Sequence, residues 1–186
     1  HYGGAGGADA SATSAPVIRT SAAALPASAP ASAFVHQGLK PDNMLLFGGG
    51  GDKGGPVRLA LTDFGLSVRY NVGAGDASCR RCGTAHYMAP EQWVDRAVDG
   101  RADMSGVAMP GYLALMGRPL VDGDDEMAIC EAHFATPRPT ALSALGDDPV
   151  PDSLLAALAK AASPDRSQRF PSLEVFESAL TSARFS

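Results

Sequence analysis

The sequence predicts a mainly α fold with one short β-hairpin, in a single domain behind an unstructured leader. From Arg101 onward, four stretches carry apolar residues at helical spacing, with capping residues near their starts. Near the middle, two short apolar runs flank a glycine-rich connection. The first 33 residues are dominated by Ala, Ser, Gly and Pro and offer almost no large apolar side chains to bury.

Taken in order, Pro16, Pro26 and Pro30 interrupt any helix in the leader, so residues 1–33 are expected to be disordered and the folded domain to run over 34–183. Met44 to Phe47 and Val57 to Leu61 read as strands joined by the run Gly48 to Gly55. That run contains Lys53, but it lacks a Gly-Lys-Ser/Thr sequence and opens no helix. It therefore reads as a tolerated loop extension rather than a phosphate cradle. Helices are expected at Arg101 to Met116, Asp124 to Ala135, Asp152 to Ala162 and Ser172 to Ala183. Asp124 and Asp125 place negative charge at a helix start, and Asp152 and Ser172 are candidate N-caps. Leu154, Leu155 and Leu158, then Leu173, Phe176 and Leu180, make core-facing stripes. Pro110-Gly111 falls inside the first helix and predicts a kink or break there.

Composition narrows the function. The 186 residues are 45% hydrophobic, enough for one core. A net charge of −5 and an isoelectric point near 5.2 leave no basic footprint for nucleic acid. The most apolar stretch, Gly106 to Met116, is too short to cross a bilayer and contains Pro110, so no membrane span is expected. The chain starts with His1 rather than Met, so a fragment or a processed product is expected. Its leader lacks the pattern of a secretory signal, and an intracellular, cytoplasmic location is expected.

The chemistry-bearing residues fall in three blocks: Val35-His36-Gln37-Gly38-Leu39-Lys40-Pro41-Asp42-Asn43, Asp63-Phe64-Gly65, and Gly83-Thr84-Ala85-His86-Tyr87-Met88-Ala89-Pro90-Glu91. In this order they resemble the catalytic loop, the metal-binding segment and the A-P-E segment of the protein kinase family. Asp103, the turn Gly117-Arg118-Pro119 and the run Asp165 to Phe170 fit the same family, so the resemblance extends from Phe34 to Leu180. It implies a kinase C-lobe: a helical lobe with a short hairpin at the catalytic cleft. The N-lobe is expected to be absent, since in this sequence neither a glycine-rich loop nor the lysine that contacts ATP precedes the catalytic loop. The helix that precedes that loop in the family has no candidate either.

By this resemblance Asn43 and Asp63 hold Mg2+ and, through it, ATP; both are oxygen ligands suited to a hard cation. Lys40 matches the lysine that contacts the transferred phosphate, and Thr84 the threonine of serine/threonine kinases. The base position is occupied by Gly38, which cannot take a proton. A positioned base contributes roughly 10²- to 10⁴-fold, so its loss implies slow transfer rather than none. Gln37 replaces the arginine that in many kinases receives an activation-loop phosphate. The resemblance also implies that Asp103 braces the catalytic-loop backbone, that His36 packs on Phe64, and that Glu91 pairs with Arg169. The implied function is ATP-dependent phosphoryl transfer to protein serine or threonine, truncated and impaired in this chain alone. The alternative is a non-enzymatic, pseudokinase-like binding or scaffolding module, with Asp124 to Pro139 as its contact surface; a third reading is an incomplete gene product. Partners are then a protein substrate or a protein partner, with the missing N-lobe supplied elsewhere.

Other polar residues carry weaker signals. Cys79-Arg80-Arg81-Cys82 has the spacing of a redox pair or half a zinc site, but no second pair exists and Cys130 is the only other cysteine. Chance spacing in a variable loop is the better reading. Ser78 and Tyr70 are candidate phosphorylation positions. His86 is expected in a solvated loop, and His133 lies on a predicted helix with no assigned role.

Overall fold

The computed structural model describes residues 32–48, 57–71, 83–94, 98–140 and 150–183. Most of the expected leader, the tip of the glycine-rich connection, Ser78, Cys79 and Cys82 lie outside the described residues. Two small antiparallel sheets and a set of helices make up the rest. Strand β1 (Ser32–Val35) pairs with β4 (Val68–Asn71), and β2 (Met44–Phe47) pairs with β3 (Arg58–Leu61). Registers are Val35 opposite Val68 and Met44 opposite Leu61. The hairpin β2–β3 matches the expected pair to within one residue. By contrast, β1 starts at Ser32, inside the segment expected as leader, and was not expected as a strand.

The helices follow as α1 (Pro90–Trp93), α2 (Gly100–Met116), α3 (Glu126–Ala135), α4 (Asp152–Ala161) and α5 (Leu173–Ser182). Helix α2 is central. Its buried residues, among them Met104, Ser105, Ala108, Met109 and Tyr112, occupy more than one face, as a helix surrounded by protein requires. They join Leu155 and Leu158 of α4, Phe176 of α5, Ile129 of α3 and Trp93 of α1 in one core. Two close approaches depend on glycine. A Cβ on Gly106 would lie 2.9 Å from Leu39 Cβ, and one on Gly111 would lie 3.1 Å from a Leu158 methyl carbon.

Helix α2 runs through Pro110 without a break, contrary to the interruption expected from Pro110-Gly111. Proline inside a helix costs about 3 kcal/mol, but Pro110 is buried and its neighbours Met109 and Tyr112 are fully packed, so tertiary burial outweighs the local penalty. Caps explain most of the other boundaries. Asp99 accepts from the Arg101 amide, Asp125 from the Ala128 amide at 2.8 Å, and Ser172 from the Val175 amide at 3.4 Å. Asp152 is not the N-cap of α4; Pro151 holds that position and Asp152 is the first helical residue, where its charge still favours the helix dipole. Gly117 closes α2 in the left-handed conformation, its N–H donating to Leu113, so the expected Gly-Arg-Pro turn is present.

Two arginines, Arg169 buried and Arg138 partly buried, tie the helices together. Arg169 donates from both terminal nitrogens to Glu91, at 2.8 and 2.7 Å, and also to the carbonyls of Ser163 and Arg101. The pair is dry: the side chains of Arg169 and Glu91 are 0% and 5% exposed. Arg138 donates to the carbonyls of His133, Thr136 and Ala162, satisfying the C-terminal ends of α3 and α4 at once. Removing Glu91 as Glu91→Ala leaves the Arg169 cation buried without its counter-charge. We expect a loss of roughly 3–5 kcal/mol in urea unfolding. An unchanged unfolding midpoint would show that the pair does not hold this part of the fold.

Candidate functional site

The site is built on the segment from His36 to Asn43, and the backbone there is held from below by α2. The His36 N–H donates to Asp103 Oδ2 at 2.8 Å and the Gln37 N–H to Oδ1 at 3.1 Å. An ionised carboxylate is acceptor-only and can take both bonds. Burial pushes the Asp103 carboxyl above its usual range, while the two amide bonds pull the other way. The clasp is needed because Gln37 sits at φ 60°, a left-handed conformation costly for a residue with a side chain. Gln92 on α1 grips the same segment. Its Oε1 accepts from the Ala89 N–H at 2.8 Å, and its Nε2 donates to the Gln37 carbonyl at 3.5 Å.

His36 is structural in its contacts, as expected. Nδ1 accepts from the Gly38 N–H at 3.2 Å, which assigns the ring proton to Nε2, and the ring lies 4.6 Å from that of Phe64. Asn43 closes the loop by donating from Nδ2 to the Gly38 carbonyl at 2.8 Å, leaving Oδ1 uncommitted. Asp63, also left-handed at φ 60°, accepts the Gly65 N–H on Oδ1 at 3.3 Å. The Thr62 N–H donates to the Asn43 carbonyl at 3.0 Å and links the two segments.

Gly38, Lys40, Asn43, Asp63 and Thr84 all line one cleft of about 210 Å³, together with Leu66, Tyr87 and Met88 among others. The residues singled out in the sequence are therefore brought together. Gly38 is not forced to be glycine: its φ is not left-handed, and a Cβ there would meet nothing nearer than 3.5 Å. Asn43 and Asp63 each offer a free oxygen to the cleft, a donor set that fits a hard cation retaining water and phosphate ligands. Among the described residues no cluster of three His, Cys, Asp or Glu side chains forms a metal cage of its own.

Of the other two described histidines, His86 differs from expectation, and His133 lies on its expected helix. His86 is not simply solvated; it contacts Asp122 Oδ1 at 3.2 Å and is partly buried. His133 is fully buried, its Nε2 donating to the Ala85 carbonyl at 2.7 Å, beside the Trp93 ring. It thereby pins the segment that carries Thr84 to α3. Ile129, four residues earlier on the same face of α3, was a readable sign of this burial. Gln92 and Arg138 left no comparable sign, because the bonds by which they join separate segments, to the Gln37 and Ala162 carbonyls, go to backbone groups distant in sequence.

The sequence matches the family model of the protein kinase domain over residues 30–180. The chain belongs to the protein kinase family. It is 32% identical over 141 residues to the serine/threonine-protein kinase PksC of Streptomyces coelicolor, covering 76% of this chain and 24% of that protein. To the serine/threonine-protein kinase Pkn1 of Myxococcus xanthus it is 31% identical over 151 residues, 81% of this chain and 21% of the relative. A 36% identity over 86 residues relates 46% of the chain to 23% of a probable myosin light chain kinase of Dictyostelium discoideum. The chain thus spans about a quarter of the length of these curated relatives. No helix among the described residues is long and apolar enough to cross a membrane.

Burial lowers the His133 pKa from 6.5 to about 4. Between those values the unfolded chain binds a proton that the folded chain refuses, so stability falls as pH drops from 6.5 towards 4. The effect is on the order of 3 kcal/mol across the whole window. Urea unfolding at pH 7 and pH 4.5 should show this loss, and His133→Gln, which keeps an N–H donor for Ala85, should reduce it. An identical pH dependence in the variant would contradict the assignment.

Proposed function

We propose that this chain is the C-lobe portion of a serine/threonine protein kinase domain, with phosphoryl transfer slowed by the glycine at the base position. The observation that carries the reading is the cleft itself. Lys40, Asn43, Asp63 and Thr84 converge there, while Gly38 contributes no side chain although there is room for one. In this reading Asn43 and Asp63 hold Mg2+ against the phosphates of ATP, and Lys40 and Thr84 orient the transferred phosphate and the acceptor hydroxyl. Mg2+ supplies charge neutralisation on the phosphoryl group. The adenine and the remaining phosphates are covered by an N-lobe supplied elsewhere, and the acceptor is a protein serine or threonine.

A second reading, a pseudokinase-like binding module, has support of its own. Met127 and Phe134 on α3 are 57% and 47% exposed, within the stretch Asp124 to Pro139 expected as a contact surface. On the hairpin, Leu46 and Leu59 are also exposed.

Two measurements separate these readings. Calorimetric titration of the chain alone with Mg-ATP should show weak binding or none, because only Asn43 and Asp63 remain to hold the metal. A magnesium-dependent affinity in the low micromolar range, lost in Asp63→Ala, would overturn that expectation. With a related kinase's N-lobe fused ahead of residue 32, Gly38→Asp should phosphorylate serine or threonine peptides at least about 10²-fold faster than the unrepaired fusion. Equal, measurable rates would show that position 38 is not where the base belongs. Inactivity in both would favour the binding module.

A further inference from the structure

We propose that the space beside Gly38 and the two donors sharing its cleft form a binding site for a small carboxylate anion. Lys40 and Thr84 both line this cleft. Among the described residues, neither the Lys40 ammonium nor the Thr84 hydroxyl has a hydrogen-bond or ion-pair partner. Lys40 is partly buried, so its charge is less well solvated than that of a free surface lysine and gains more from an anion beside it. The Gly38 backbone forms a fixed wall: its N–H is committed to His36 Nδ1 and its carbonyl to Asn43 Nδ2. A Cβ on Gly38 would make ordinary contacts with His36 and Asn43 at 3.5 to 3.6 Å, so the place of a side chain at this position is left to the cleft. The cleft volume of about 210 Å³ is several times the roughly 30 Å³ that one water occupies in the liquid.

Size and charge set the ligand class. Among the described residues lining the cleft, Lys40 is the one cation and Asp63 the one carboxylate, so a singly charged formate or acetate beside Lys40 meets less repulsion from Asp63 than a free multiply charged anion does. A carboxylate has two acceptor oxygens, one for the ammonium and one for the hydroxyl. The site does not depend on phosphoryl transfer, and it is tested by binding alone.

The full chain, isotopically labelled, is titrated at pH 7 with sodium formate and sodium acetate, against sodium chloride at matched ionic strength. The Lys40 side-chain and Gly38 amide resonances are followed by NMR. The expected result is a saturable shift with either carboxylate, with a dissociation constant of about 1–100 mM, and no saturable shift with chloride. Gly38→Asp should weaken acetate binding at least tenfold by placing a tethered carboxylate in the same space. Gly38→Asn, which fills the space without charge, should do the same, and Lys40→Met should abolish the Gly38 amide response. Equal shifts with chloride would overturn the proposal, as would undiminished acetate binding in both folded Gly38 variants.

Discussion

A single carboxylate on the central helix, that of Asp103, accepts the consecutive N–H groups of His36 and Gln37, and the shape of the cleft follows from it. Those two bonds to a charged acceptor offset the cost of the left-handed backbone at Gln37, the step that turns the chain from β1 into the loop. From that turn the remaining bonds follow in sequence. Gly38 donates to His36, Asn43 donates back to Gly38, and the Asn43 carbonyl receives Thr62 next to Asp63. Placing Asn43 and Asp63 on one cleft is thus a consequence of backbone hydrogen bonding, not of side chains seeking one another. The clasp works because α2 is itself immobilised by burial on several faces, so its carboxylate is a fixed point.

The opposite wall of the cleft is secured differently. Residues 83–88 have little regular structure of their own and are tied down at both sides. His133 takes the Ala85 carbonyl from α3, and α1 follows immediately, with Pro90, Glu91, Gln92 and Trp93 all buried. Glu91 carries the connection on to Arg169, and Gln92 returns it to the Gln37 carbonyl. Both walls therefore meet at one backbone carbonyl beside Gly38. A defect in the Glu91 pair would reach the cleft through α1 rather than through the core.

Much of this was legible in the sequence, for identifiable reasons. The four long helices announced themselves through period and caps, and the hairpin through apolar runs around glycines. Asp103, Glu91 and Arg169 were found only because the chain resembles a family in which those positions are fixed; no local pattern marks a carboxylate that bonds to backbone more than sixty residues away. Strands β1 and β4 escaped because each is four residues long and their pairing, with the packing of Val35 on Ala89, Val98 and Ala102, joins segments far apart in sequence. The unbroken path of α2 through Pro110 also escaped, because local propensity is blind to burial on several faces. The buried role of His133 could have been anticipated from Ile129. The linking roles of Gln92 and Arg138 could not, since their bonds to the remote Gln37 and Ala162 carbonyls leave no periodic trace.

The dependence of the cleft on Asp103 is open to direct measurement by amide hydrogen exchange, residue by residue, in the parent chain and in Asp103→Asn. The two backbone donors use different oxygens of the carboxylate, and in the amide an N–H₂ group replaces one of them, so one donor loses its acceptor. The account predicts that exchange at His36 or Gln37 accelerates roughly tenfold or more, as expected for losing a hydrogen bond to a charged acceptor. Asn43 should loosen with them, while the α4 and α5 amides remain protected. Unchanged protection at His36, Gln37 and Asn43 in a folded Asp103→Asn chain would contradict the claim that this carboxylate shapes the site.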